Sequence, residues 1–209
     1  MALVLPRFYA IIDRSVRPDL PLGHLARTLL DAGVTLIQLR AKQVPTRHFL
    51  SDTEELLSLL SRPTRLIVND RPDVAWLAGA AGVHLGQDDL PLTAARSLLG
   101  PSSIIGLSTH TLPQVEAADA ALADYLAFGP VFSTATKADA EPVVSPARLR
   151  EVRARVQKPL VAIGGITPAN AAEAIEAGAD AVAVIRGWME AEDLPARLAE
   201  FRRVLGRLS

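Results

Sequence analysis

The chain contains no cysteine. Disulfides, iron–sulfur clusters, thiolate zinc sites and a cysteine nucleophile are therefore all excluded, and a reducing cytoplasm suits such a chain. Aromatic residues are few: five Phe, two Tyr and two Trp among 209 residues. Net charge is nearly absent, at −1 near neutral pH, so no whole-molecule field draws the protein to nucleic acid or to an acidic membrane surface. No apolar run approaches the length needed to span a bilayer. The opening "MALVLPRFYAII" lacks a basic segment, and Pro6-Arg7 breaks its apolar runs, which makes it a poor signal peptide. Low-complexity tracts are missing too. These absences lead us to expect a cytoplasmic protein without nucleic-acid or membrane partners; they say nothing of protein partners.

What is present is aliphatic. Hydrophobic residues make up 49% of the chain, mostly Ala, Val, Leu and Ile, as expected of parallel strands covered on both faces. Eight short strand candidates recur: Tyr9–Ile12, Thr35–Leu39, Leu66–Val68, Gly82–Leu85, Ser103–Leu107, Tyr125–Phe128, Leu160–Ile163 and Ala181–Ile185. Amphipathic stretches such as "LGHLARTLLDAG" and "TRHFLSDTEELLSLL" lie between them. Strands alternating with helices imply βαβ units and a parallel sheet. Eight units without a linker favour one closed α/β TIM barrel, (β/α)8, over residues 1–209, ahead of an open doubly wound sheet.

Such a barrel opens its chemistry at the C-terminal ends of its strands, and unusual polar residues gather there. In "TLIQLRAK", Gln38, Arg40 and Lys42 alternate, so an extended chain points all three to one side. A guanidinium fork beside an ammonium suits phosphate oxygens; a solvated edge outside the barrel is the competing reading. Strand three ends in Asn69-Asp70, and the turn after strand four carries Asp89. Either aspartate alone suits a helix N-cap. Beside Arg40 and Lys42, the pair suits magnesium, which takes one or two carboxylates together with substrate phosphates.

Strand five runs into "GLSTHT", with Ser108 and His110 on one side. Strand six leads into "FGPVFSTATK", with Thr134, Thr136 and Lys137 over a prospective anion site. Strands seven and eight end in "AIGGIT" and "AVAVIRG", whose glycines would let backbone amides approach a ligand. The spacing in "AIGGIT" is not that of a dinucleotide fingerprint, so nicotinamide chemistry has no support. Of the four histidines, His24 and His48 read as surface residues, His84 as a packed or hydrogen-bonded core residue, and only His110 as a candidate for chemistry. Trp76 reads as helix packing.

Taken in order, "QLRAK", "VNDRPDVAWLAGAAGVHLGQDD", "GLSTHT", "GPVFSTATK", "AIGGIT" and "GADAVAVI" resemble the thiamine-phosphate synthase family. The resemblance spans residues 38 to 185. It implies a magnesium-dependent transferase that condenses 4-amino-2-methyl-5-(diphosphooxymethyl)pyrimidine with 4-methyl-5-(2-phosphooxyethyl)thiazole, releasing pyrophosphate. By the same resemblance, Gln38, Arg40, Lys42, Asn69, Ser108 and Lys137 hold the pyrimidine diphosphate, with Arg40, Lys42 and Lys137 catalytic. Asp70 and Asp89 are the implied Mg2+ ligands. Thr134, Thr136, Gly165, Ile185 and Arg186 are the implied thiazole-phosphate site. Two departures stand out: Arg186 where many members have Ser, and Ser133 in place of a common Pro. The rival expectations are a thiazole tautomerase, a homologous barrel relying on a histidine near His110, and a non-catalytic barrel that binds thiamine phosphate. Retention of Arg40, Lys42, Asn69, Asp70, Asp89 and Lys137 favours the synthase.

Overall fold

In a computed structural model, residues 3–119, 122–133 and 143–209 are described. Eight parallel strands close into a barrel in chain order, β1 hydrogen-bonding to both β2 and β8. The strands are β1 (Phe8–Asp13), β2 (Leu36–Arg40), β3 (Arg65–Asn69), β4 (Gly82–Leu85), β5 (Ile104–Thr109), β6 (Tyr125–Phe128), β7 (Leu160–Ile163) and β8 (Ala181–Val184). The helices between them are α1 (Leu22–Asp31), α2 (Thr46–Leu59), α3 (Pro72–Ala78), α4 (Leu92–Leu99), α5 (Leu112–Asp119), α6 (Ser145–Arg153) and α7 (Ala171–Glu176). After β8 come α8 (Arg186–Met189) and α9 (Leu194–Leu205). This is the expected (β/α)8 barrel.

Period-two alternation divides each strand between two cores. Phe8, Ala10 and Ile12 of β1 face outward into the strand–helix layer, with Ile37, Leu39, Leu66, Val68, Val83 and Leu85. Tyr9 and Ile11 face inward with Leu36, Ile67, Tyr125, Ala127, Val161, Ala181 and Ala183. The same alternation turns Gln38, Asn69, His84 and Ser108 into the barrel. The outer layer is mainly aliphatic, with Phe8, Phe49, Phe128, Trp188 and Phe201 among it, whereas the inner layer turns polar toward the C-terminal ends.

Several strands run further than their apolar runs suggest. β1 continues to Asp13, β2 to Arg40, β3 to Asn69 and β5 to Thr109. Ladder hydrogen bonding, not hydrophobicity, sets these limits: Asp13 lies in register with Arg40, and Asn69 with His84. One packing expectation fails. Trp76 is 58% exposed, because the short α3 buries Pro72, Val74 and Ala75 and turns Trp76 outward. His24 and His48 are exposed, as expected.

Candidate active site

A cavity of about 560 Å³ opens at the C-terminal ends of the strands. Every described residue expected at the site lines it: Gln38, Arg40 and Lys42 from β2 and its turn; Asn69, Asp70 and Asp89 from the ends of β3 and β4; Ser108 from β5; Gly165, Ile185 and Arg186 from the ends of β7 and β8. Thr134, Thr136 and Lys137 lie outside the described residues.

The rim is built of charges. Arg40, at the end of β2, pairs with Asp13, at the end of β1. Asp13 is 1% exposed, and its second oxygen accepts hydrogen bonds from the Ser15 amide (2.9 Å) and hydroxyl (2.7 Å). Sequence reasoning missed Asp13, although β1 ends in a carboxylate just as β3 runs into one. Lys42 Nζ lies 3.6 Å from Asp70 Oδ2. Each cation thus has its own carboxylate, which relieves the repulsion expected between Arg40 and Lys42.

Asp70 adopts a left-handed backbone (φ 62°), a conformation that Asp tolerates better than most residues. Its amide donates to the His84 carbonyl at 2.8 Å. Asp89 accepts from the Gly86 amide at 2.7 Å, which folds the turn after β4 back over the barrel. Neither aspartate is a helix cap: the N-cap positions of α3 and α4 are Arg71 and Pro91, without a side-chain cap. Instead they share a hydrogen bond. Burial, then the shared hydrogen bond and charge of Asp89, push the Asp70 carboxyl up to about 6, against the pull of Lys42 and Arg40.

Among the described residues, no cluster of three or more His, Cys, Asp or Glu could hold a metal. The rim's donor set is instead two carboxylates. Asp13, Asp70 and Asp89, when ionised, leave one surplus negative charge against Arg40 and Lys42, and the charge of Asp89 already raises the Asp70 carboxyl. Such a pair fits a hard divalent cation that completes its shell with waters and substrate phosphates.

Below the rim the polar groups are an amide, two phenols, an imidazole and a hydroxyl, joined by hydrogen bonds. Gln38 Nε2 donates to the Tyr9 hydroxyl at 2.7 Å. The Tyr9 and Tyr125 hydroxyls lie 2.9 Å apart, Tyr125 lies 2.9 Å from His84 Nδ1, and His84 Nε2 lies 2.8 Å from Ser108 Oγ. His84 is the hydrogen-bonded core histidine expected, and it also lines the cavity. Both tyrosines of the chain belong to this array, and sequence reasoning missed both. The signal was there: each sits at an inward position of its strand, where a phenol hydroxyl buried among apolar side chains needs a polar partner.

At the far side, His110 Nδ1 donates to the Gly129 carbonyl at 2.6 Å, and the His110 amide donates to Gln114 Oε1 at 2.8 Å. Gly165 has φ +64°, and a Cβ there would meet the Ser133 carbonyl oxygen at 2.3 Å. Glycine is thus required for the β7 and β6 loops to pack together. Arg186 pairs with Glu190 one turn along α8, and its Nε is buried without a partner among the described residues.

The sequence model of the family described as Thiamine monophosphate synthase matches residues 8–188. The chain belongs to that family. It is similar to the thiamine-phosphate synthase of Koribacter versatilis, with 47% identity over 207 residues and 97% of each chain covered. It is also similar to that of Methanospirillum hungatei, at 43% identity, covering 92% of this chain and 94% of the relative. Among solved structures, the thiamine phosphate pyrophosphorylase of Pyrococcus furiosus superposes with a TM-score of 0.87 at 37% identity, covering 96% of this chain and 95% of that one.

Proposed function

We propose that the protein is a thiamine-phosphate synthase of the cytoplasm, with residues 1–209 acting as one catalytic unit. It joins the pyrimidine diphosphate to the thiazole phosphate and releases pyrophosphate. The observation that carries this reading is the Asp70–Asp89 pair, set beside Arg40 and Lys42 on the rim of the cavity of a family member. An isomerase acting on the thiazole phosphate alone has little physical use for such a cradle.

The chemistry follows from where charge develops. Cleavage of the carbon–oxygen bond leaves a stabilised cation on the pyrimidine methylene and a heavily charged diphosphate. Arg40 and Lys42 meet that charge from the rim, where preorganised cations act more strongly than in water, and Lys137 is the third cation assigned to the leaving group. Asp13 holds Arg40 in place, so little reorganisation is needed as the bond breaks. Asp70 and Asp89 would hold Mg2+, which when bound neutralises the leaving group. Asn69 and Ser108 orient the pyrimidine diphosphate. Thr134, Thr136, Gly165, Ile185 and Arg186 seat the thiazole phosphate, so that its ring nitrogen faces the cation and forms the new bond. No covalent enzyme intermediate is needed.

The test is pyrophosphate release by purified protein with both substrates, with and without magnesium, beside an Asp70→Ala, Asp89→Ala variant. Release that needs both substrates and magnesium, and drops at least about 10³-fold in the variant (roughly 4 kcal/mol of barrier), supports the reading. A folded wild type that releases none overturns it.

A further inference from the structure

The neutral array beneath the rim has a direction. Gln38 Nε2 has only hydrogens to give, so the Tyr9 hydroxyl accepts from it. The Tyr9 and Tyr125 hydroxyls lie 2.9 Å apart and either could donate; among the described residues, Tyr125 is the acceptor within reach of the one Tyr9 hydrogen. The Tyr125 hydrogen then has, among the described residues, one outlet, His84 Nδ1 at 2.9 Å. Nδ1 thus accepts, and the single imidazole proton sits on Nε2, which donates to Ser108 Oγ at 2.8 Å. The Ser108 hydroxyl hydrogen is left for the cavity. A doubly protonated His84 would strand the Tyr125 hydrogen in a fully buried site.

We propose that Gln38, Tyr9, Tyr125 and His84 form a one-way hydrogen-bond chain that commits the Ser108 hydroxyl to donate into the cavity. Gln38, Tyr9, Tyr125 and His84 are positioning residues in this sense, and Ser108 is the group that touches substrate. The subsite then selects a ligand atom with a lone pair, an anionic diphosphate oxygen or an unprotonated ring nitrogen, over one that carries hydrogen. The inference rests on the synthase reading only for the identity of the ligand.

The surroundings are built for this chain. Tyr9 and Tyr125 are fully buried, and burial holds both phenols protonated well past their ordinary range, so each keeps the one hydrogen the argument counts. The rings of His84 and Tyr125 stack with centroids 5.4 Å apart, and those of Tyr9 and Tyr125 meet edge-on at 6.0 Å. The neighbouring position on β5 is Gly106. A Cβ there would stand 2.1 Å from Tyr125 Cζ, 2.4 Å from its hydroxyl and 2.5 Å from His84 Nδ1. That position is left empty so that the phenol can reach the imidazole. Above, Ser108 is itself fixed by Gln87 Nε2, which donates to its carbonyl at 2.5 Å.

The first test reads the tautomer without any turnover. Nitrogen-15 histidine spectra of the full chain near neutral pH, with His84 assigned by His84→Gln, report which ring nitrogen bears the proton. The Nε2–H form is expected in the wild type. Tyr125→Phe should give a mixture of tautomers, and Tyr9→Phe a smaller drift, with thermal melts verifying that both variants fold. An Nδ1–H or doubly protonated His84 in the wild type overturns the proposal, and so does a tautomer indifferent to Tyr125→Phe.

The second test locates the acceptor, with inorganic pyrophosphate and the unphosphorylated aminopyrimidine alcohol as separate probes. Ser108→Ala should weaken one of them about tenfold: pyrophosphate if the acceptor is an anionic oxygen, the alcohol if it is a ring nitrogen. Tyr125→Phe should weaken the same probe several-fold. Unchanged binding of both probes overturns the donor role. A wild type that shows the expected tautomer yet releases no pyrophosphate from its substrates would instead overturn the synthase reading and leave the chain standing.

Discussion

The rim and the floor of the cavity are both polar, yet they use opposite electrostatics. At the rim, charges meet charges: Arg40 with Asp13, Lys42 with Asp70, and Asp70 with Asp89. On the floor, deeper in the barrel, no residue of the Gln38–Tyr9–Tyr125–His84–Ser108 chain need carry charge, and each group satisfies the next by hydrogen bonding. Solvent explains the division. Lys42 is 56% exposed and can shed its field into water, whereas Tyr9, Gln38, Tyr125 and His84 are buried, and an ion there would bear a desolvation cost of several kcal/mol. A site for a diphosphate and a flat heterocycle needs both, with anion affinity where water can leave and directional selectivity where it cannot.

The sharpest way to break this comparison is to unpair the one deeply buried charge of the rim. Asp13→Asn keeps an acceptor for the Ser15 amide but leaves the Arg40 guanidinium, only 12% exposed, without its counter-charge. Breaking a buried pair from one side costs about 3–5 kcal/mol. Urea denaturation should show that loss as a lower midpoint with unchanged slope. An unmoved midpoint would mean that Arg40 is held by something other than Asp13.

On the floor the loss is smaller and has a different pH signature. Tyr125→Phe leaves the Tyr9 hydroxyl and His84 Nδ1 each short of a partner, at roughly 1–3 kcal/mol. In the wild type the two phenols stay protonated in the folded state beyond the pH at which an unfolded tyrosine ionises. The folded state therefore binds more protons, and stability falls as pH rises past about 10. Below that, between about pH 6 and 9, the tyrosines contribute no slope. Melts across pH 6 to 11 should show the alkaline fall in wild type and a shallower one in Tyr125→Phe.

Asp70→Asn should stabilise. The Asp70 carboxyl titrates near 6 in the folded state, above the ordinary value of 3.8. Between those values the folded chain holds a proton that the unfolded chain has lost. Without metal, stability therefore declines as pH rises from about 4 to about 6, and the full penalty stands at neutral pH. Allowing for partial exposure, the variant should gain about 1–2 kcal/mol at pH 7 in chelator and almost nothing at pH 4. Asparagine tolerates the left-handed backbone at this position as well as Asp does. A variant less stable than wild type at pH 7 would show that the carboxylate pair is not under strain.

How much of this was legible beforehand depends on which interaction sets each feature. Alternation of apolar runs with amphipathic stretches made the parallel sheet legible, and eight such units without a linker favoured the closed barrel over an open sheet. The residues from Gln38 to Lys42, and Asn69-Asp70, were legible for the same reason: polar side chains on the inward face of a strand have nowhere to go but the mouth. Asp13 was hidden because its role depends on register with Arg40, a non-local pairing. Tyr9 and Tyr125, 116 residues apart in sequence, meet only when the barrel closes. The cap reading of Asp70 and Asp89 fails for a local reason: the chain turns left-handed at Asp70, and α3 starts one residue later than the capping pattern needs.

The smallest effect concerns Arg186, where the rim's charge pairing reaches the far wall. Its pair with Glu190 is about half exposed and spans one helical turn. Such pairs contribute about 0.3–0.5 kcal/mol, so Arg186→Ser should leave the melting temperature within a degree or two. Its place on the cavity wall argues for more than that pair. The Nε is buried and has no partner among the described residues, which costs free energy unless a ligand supplies the acceptor. If the thiazole phosphate is that acceptor, the variant should show a few-fold higher KM for the thiazole phosphate with kcat nearly unchanged, the pattern of binding lost equally from ground and transition states. Glu190→Gln, which frees the guanidinium, should move KM the other way. Equal constants in all three proteins would assign the phosphate contact to the backbone of Ile185 and Arg186 and leave the guanidinium to Glu190 alone.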